Sequence, residues 1–317
     1  MCWQKFRVGK CIVKKDEFNV GDLCIYFSID AIPDLTDPNT EFMTKRGGRI
    51  RTIKMRGVIS QGLIGPLSWL SDRGHSIDKL VEGDDVTTQM GVTKYVAVEE
   101  ISQYRGLTND NERMPEYVPK TDEGRLQTHL YFLERIKDRK IVITEKEDGC
   151  SCTFIYNDGK FSVCGRRFVW KEPDQSCAHY FHVAEKFDVE SRIASLGINI
   201  AIQGEVMGPK INCNRSDLSD FDFRVFNIFN IDKQEYLLHE EVTEICSRLG
   251  LNQVVEIYVG NANDIDLSLD NLLKMAGKQF YKKGFPAEGI VVKTNDRIDS
   301  RVSFKVISNE YLLKYNL

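Results

Sequence analysis

Residues 108–124 of this 317-residue chain, TNDNERMPEYVPKTDEG, constrain its fold more than any other stretch. They are polar, carry two prolines and show no helical period, so they read as part of a linker over 98–124. The chain is long enough for a separate core on each side. The expectation is a small domain over 1–97, the linker, and a larger domain over 125–317.

The first part reads as short strands broken by turns. KCIVKK, LCIYFSI, RIRTIKM and KYVAVEE are β-rich, with Gly21-Asp22, Gly47-Gly48, Gly62 and Gly83-Asp84 between them. Such spacing predicts a small barrel or sandwich, and an OB-type barrel is the one most often joined to a nucleic-acid enzyme. In RIRTIKM the basic residues change face near Thr52, which predicts a bulge there. The segment 44–57 holds six basic residues and no acidic one. Arg49, Arg51, Lys54 and Arg56 suit a phosphate backbone, or equally a charged edge strand that resists aggregation.

From Ile141 onward the strands lengthen and mix with helices. KIVITEKE, SCTFIY, KFSVCGR, NIAIQGEVM, FDFRVFNIFNI, GIVVKT and RVSFKVI read as strands; 125–138, 176–196, 239–249 and 268–283 read as helices. The class is α+β on antiparallel sheets with flanking helices. No GxxxxGK[ST] or GxGxxG occurs, which argues against a P-loop or dinucleotide fold.

A net charge of −4 argues against indiscriminate coating of nucleic acid. The nine cysteines form no CxxC pair and read as reduced thiols. No apolar run is long enough for a bilayer and no secretory signal opens the chain, so an intracellular, cytoplasmic protein is expected.

The chemistry concentrates in ITEKEDGCSCTF, residues 143–154. In a strand, Lys146 and Asp148 share one face and Glu145 and Glu147 the other, while Gly149 permits close backbone approach. A surface salt bridge has that pattern, and so does a lysine nucleophile beside a metal-organising carboxylate. Other strands decide between the two: VCGRRF with Arg166, QGEVMGP with Glu205, FDFRVFNIF with Phe223 and Phe226, AEGIVVKT with Glu288 and Lys293, and RVSFKVIS with Lys305.

In order and wording these segments resemble the motifs of covalent nucleotidyltransferases, the polynucleotide ligases and capping guanylyltransferases. KKDEFNVGDLCIYFSID, RTIKMRGVISQGLIGPL, PKTDEGRLQ and VSFKVISNEYLLKY narrow the likeness to the Deinococcus/Naegleria-type ATP-dependent RNA ligases, over almost the whole chain. In that family an OB domain precedes the ligase domain. Twelve residues follow Lys305, too few for an OB domain on that side. The matching stretch begins at WQKFRVGKCIVKK, so a barrel short of its first strand is expected.

The resemblance implies that Lys146 attacks the α-phosphate of ATP, that AMP passes to an RNA 5′-phosphate, and that a 3′-hydroxyl then seals the break, in a duplex. It places Lys293 and Lys305 beside Lys146 as catalytic cations. Glu145, Arg166, Glu205, Phe226, Glu288, Arg125 and Gln127 are the expected nucleotide contacts, with Phe226 stacked on adenine above a packed Phe223. Mg²⁺ or Mn²⁺ is expected at Asp148, Glu205 and Glu288 through its water shell, in place of ion pairs between these carboxylates and Lys146. The partners are RNA strands with 3′-OH and 5′-phosphate ends; no membrane is involved, and a monomer is expected.

Two departures bear on the site. The arginine motif reads Gly165-Arg166-Arg167, where relatives have serine before and asparagine after, and Ile307 stands where many RNA ligases have a second lysine. The alternatives are a minimal DNA ligase, a guanylyltransferase, an RNA-binding module with a vestigial ligase domain and, remotely, a zinc-dependent binder.

Overall fold

The computed structural model describes residues 2–6, 9–95, 112–173, 175–282 and 284–317, with side chains from Lys10 onward. The chain divides into two compact units, residues 1–101 with 312–317, and residues 102–311.

In the first unit four antiparallel pairings are formed: Cys2–Phe6 with Gly9–Val13, Cys24–Phe27 with Leu63–Pro66, Ala31–Ile32 with Thr93–Lys94, and Thr52–Met55 with Val58–Gln61. Alternation in Cys24–Phe27 turns Ile25 and Phe27 inward onto Met43, Ile50, Leu70 and Met90. Among the described residues these ladders stay two-stranded and do not join into a closed barrel. The strands are only two to five residues long; of KYVAVEE, Lys94 lies in the Thr93–Lys94 strand and residues 96–100 lie outside the described residues. The change of face at Thr52 is no bulge. The strand begins at that residue and keeps an unbroken register from Thr52↔Gln61 to Met55↔Val58.

The second unit is built on two sheets. One runs in the order Gly124–Arg125, Ser303–Ile307, Gly289–Thr294, Lys140–Lys146 and Glu256–Asn261. The other runs Glu235–Tyr236, Asp222–Asn230, Ile200–Met207, Cys150–Asn157, Lys160–Cys164, Phe168–Trp170 and Glu112–Arg113, with Asn252–Gln253 also paired to Asp222–Asn230. Nearly all pairings are antiparallel; Gly124–Arg125 with Ser303–Ile307 and Asn252–Gln253 with Asp222–Asn230 are parallel. Phe154, Ile202, Phe223 and Val225 form one core with Tyr180, Val183, Ile193 and Val242. Ile141, Ile143, Ile290, Val292 and Phe304 form a second with Phe132, Leu272 and Ala276.

The helix expected at 239–249 is present, with Val242, Cys246 and Leu249 buried at helical spacing and left-handed Gly250 ending it. The others are shorter than expected. The 176–196 helix is two, Ala178–Lys186 and Val189–Ala194, broken where Asp188 takes φ 47°. The 125–138 helix is confined to Tyr131–Ile136 after a 3₁₀ turn. The 268–283 helix stops at Gly277, and the chain enters a hairpin of Phe280–Lys282 with Phe285–Pro286. Residues 98–111 of the expected linker lie outside the described residues. The rest is packed, not loose: Met114 and Val118 are buried with Ile155 and Phe229, which polar composition concealed.

Candidate active site

Lys146 is the last residue of its strand, paired with Gly289, so Glu288 stands beside the turn that follows Lys146. The two side chains meet: Lys146 Nζ donates to Glu288 Oε2 at 2.6 Å and to the Glu147 carbonyl at 3.3 Å. Lys146 is therefore ion-paired with Glu288, where the expectation was that the carboxylates hold a metal's water shell in place of such pairs. Burial pulls its amine toward lower pKa, but Glu288, Glu205 and Asp148 together outweigh burial and hold the proton on.

The turn 147–149 crosses to the other sheet. Gly149 lies so close to the neighbouring strand that a Cβ there would sit 2.2 Å from the Val206 carbonyl oxygen, which requires glycine. Its amide donates to Glu205 Oε1 at 3.2 Å. Burial, with Glu288, Asp148 and Glu147 nearby, pushes the Glu205 carboxyl up to about 8 against the pull of Lys146. Among the described residues no three acidic, His or Cys groups are arranged to hold a metal directly. Carboxylates crowded until one resists ionisation do fit the water shell of a divalent cation.

Asp148 has both oxygens engaged. Asn212 Nδ2 donates to Oδ1 at 2.9 Å, and Arg215 NH1 and the Tyr311 hydroxyl reach Oδ2 at 3.0 and 2.7 Å. Glu147 turns the other way and accepts from Arg224 NH1 at 2.6 Å. Glu145 is buried, and burial with Glu147 nearby raises its carboxyl to about 7 despite Arg224.

Phe226 is positioned by an irregularity. Gly204 faces Val225 and Gln203 faces Asn227, which leaves Phe226 as the extra residue of a bulge. Its half-buried ring lies on the face of Arg224, opposite the core face of Phe223 and Val225, and the bulge returns Ile228 to that core face. Its carbonyl accepts from Lys293 Nζ at 2.6 Å. Burial, helped by Arg301 and opposed by Glu123, lowers the Lys293 amine to about 7. Lys305 sits in the next strand opposite Val291; burial and the charge of Lys146 lower its amine, with Glu288 opposing.

Arg166 Nε donates to Asp122 Oδ1 at 2.7 Å. The glycine before it is explained by packing, since a Cβ at Gly165 would lie 2.9 Å from Trp170 Nε1. Arg125 pairs with Lys305 in a parallel ladder. Gln127 is 2% exposed and donates to the Ile307 carbonyl at 2.9 Å, so it braces the Lys305 strand from within. Buried Ile307 packs where relatives carry a second lysine.

Sequence reasoning did not single out Asn212, Arg215, Arg224, Tyr281 or Tyr311. Arg224 was available from alternation, since it shares the face of Phe226 in FDFRVF. Asn212 and Arg215 lie on a 3₁₀ turn and the loop after it, Tyr281 on a three-residue strand and Tyr311 on the last helix, where no period marks a side chain.

A model of the RNA ligase family matches residues 139–307, more than half of the chain. The chain belongs to the RNA ligase family. A model of an OB-fold domain matches residues 4–67, ahead of it. Among solved structures, a variant of the Naegleria gruberi RNA ligase with ATP and Mn is 30% identical, with a TM-score of 0.79 over 97% of this chain and 91% of that one. The same organism's RNA ligase with PPi is 30% identical, with a TM-score of 0.76 over 97% and 90%. A variant with AMP and Mn is 30% identical, with a TM-score of 0.76 over 96% and 90%. No curated protein matches significantly. No helix of the described residues is long and apolar enough to cross a membrane.

Proposed function

We propose that this RNA ligase is ATP-dependent, uses Lys146 as its nucleophile, and joins 3′-OH and 5′-phosphate RNA ends at nicks in duplexes. The observation that carries the reading is the Lys146 amine held 2.6 Å from Glu288 at a strand end, with Glu205 and Asp148 beside it and two further lysines, Lys293 and Lys305, on the adjoining strands.

The Lys146 ammonium must first lose a proton, and Glu288 is the carboxylate in contact with it. The freed lone pair attacks the α-phosphorus of ATP; an N–P bond forms, the bond to the β-phosphate oxygen breaks, and pyrophosphate leaves. A 5′-phosphate oxygen of the RNA then displaces Lys146 from the AMP phosphorus. Finally the 3′-hydroxyl attacks the 5′-phosphate and AMP leaves. Mg²⁺ or Mn²⁺, through waters on Glu205, Glu288 and Asp148, would supply positive charge that favours the neutral amine. Asp148 would serve it only in part, because Asn212, Arg215 and Tyr311 hold both its oxygens.

The Lys305 side-chain amine donates no hydrogen bond among the described residues and suits charge building on the α-phosphate. Lys293 suits the same charge once it takes up a proton and leaves the Phe226 carbonyl. Phe226 offers a ring face to adenine. Glu205 and Arg166 suit ribose and phosphate oxygens, with Asp122 holding the guanidinium until they arrive. Arg125, Gln127 and Glu145 act behind this set, on the strands that carry Lys305 and Lys146. We further propose a boundary between the two domains near residues 97–112, a monomer, and a cytoplasmic setting.

The test is to incubate the protein and its Lys146→Ala variant with Mg²⁺ and α-labelled ATP or GTP, denature, and measure label on the chain. Label from ATP alone, absent in the variant, followed by sealing of a nicked RNA duplex but not a DNA one, is the expected result. Label from GTP only, or no label in a folded protein, rejects the reading. Lys305→Ala should remove the label while keeping the wild-type unfolding transition, and full labelling would end its assigned role.

A further inference from the structure

The Lys146–Glu288 ion pair has to open during turnover, yet both residues must keep their places. The ladder cannot ensure this, because pairing between their strands ends at Lys146↔Gly289 and Glu288 lies beyond it. At that end the carbonyl of Lys146 points out of the strand and the amide of Glu288 enters it, and both need partners. One atom serves both. The Tyr281 hydroxyl donates to the Lys146 carbonyl at 2.8 Å and accepts from the Glu288 amide at 3.1 Å. A phenol has one proton and lone pairs to spare, so a single hydroxyl can do both.

We infer that Tyr281 is a positioning residue of this ligase: its hydroxyl clamps the main chains of Lys146 and Glu288 at fixed spacing while their side-chain ion pair opens and re-forms. The inference rests on the assignment of Lys146 as nucleophile.

The local fold supports this role. Tyr281 lies in the Phe280–Lys282 strand, whose hairpin returns through Phe285–Pro286 to Glu288, and Ala287 N donates to Gln279 O at 3.0 Å. The hairpin therefore fixes the phenol against the residues it holds. Lys146 Nζ can then swing from Glu288 to a phosphorus without the strand end following it. Reacting groups tolerate little misplacement, and a shift of about 1 Å can cost about a hundredfold in rate.

Tyr281→Phe removes the hydroxyl and keeps the ring. In single-turnover labelling at saturating ATP the variant should form lysyl-AMP about tenfold more slowly, roughly the loss expected from about one hydrogen bond at the reacting centre. Half-saturating ATP should stay within about twofold of wild type, a split a general structural defect would not give. Sealing of a pre-adenylylated RNA end, which needs no attack by Lys146, should fall by a smaller factor. An unchanged labelling rate overturns the inference, as does an equal loss in all three quantities. Should the variant not fold, hydrogen exchange of the Glu288 amide in the wild type decides instead: slow exchange supports the clamp and free exchange rejects it. A wild type that takes no label at all would reject the nucleophile assignment itself.

Discussion

Lys293 reaches from one sheet to the bulge of the other, where its Nζ donates to the Phe226 carbonyl at 2.6 Å, so the cation and the ring are held by a single contact. The amine is buried beside Arg301 and releases its proton at about 7 instead of the ordinary 10.5. Between those values the unfolded chain binds more protons than the folded one, so this group makes stability rise with pH from 7 to 10.5. Below 7 both states are charged and the slope disappears. Urea unfolding of the wild type against Lys293→Met at pH 7, 8 and 9 should show the difference growing with pH, by at most about 1.4 kcal/mol per unit. A constant difference would mean that the amine stays charged.

Binding of a triphosphate should reverse that state. Phosphate near Lys293 raises its amine, so ATP binding above pH 7 should take up a proton and weaken as pH rises. Calorimetry in buffers of different ionisation enthalpy should detect this uptake in the wild type and a smaller one in Lys293→Met. Equal uptake in both would assign the proton to another group.

Arg224 holds Glu147, whose side chain is 1% exposed, from the opposite sheet at 2.6 Å. Arg224→Ala leaves that carboxylate buried without its partner and should cost about 3–5 kcal/mol in urea unfolding. Adding Glu147→Gln should recover part of the loss. If it recovers none, the guanidinium acts through packing alone.

In the first unit Arg49 is already committed to Asp30 at 2.6 Å and lies over the Tyr95 ring, and Arg51 donates to the Asn316 carbonyl. Lys54 and Arg56 are exposed and remain suited to a phosphate backbone. Reversing both charges should weaken RNA sealing and reduce its salt dependence by about two phosphate contacts, while lysyl-AMP formation is kept. Equal loss in both steps would mark the pair as structural.

The reactive segment was legible because chemistry dictates its residue types at short range. Lys146, Asp148 and Gly149 are neighbours in sequence; Glu205, Lys293 and Lys305 each sit in a strand whose alternation can be read, and Glu288 directly precedes one. Phe226 was named for its ring and alternation with Arg224 sets its face, but the bulge opposite Gly204 that returns Ile228 to the core is not forecast by strict alternation. The helices ran long in the reading because Asp188 and the 280–286 hairpin interrupt patterns that remain apolar on both sides. Residues 112–124 looked like linker because two buried side chains, Met114 and Val118, are too few to set a period.

The sequence by itself determined the family, the strands and the reacting lysine, since local spacing and residue chemistry carry that information. Only the tertiary structure decided that Lys146 rests against Glu288, that Arg215 and Tyr311 occupy Asp148, and that Tyr281 grips two main chains at once. Apart from Tyr281 and Glu288, seven residues apart, these partners lie 67 to 163 residues apart along the chain. Contact between such residues is set by how two sheets and a hairpin pack, and no local pattern records it.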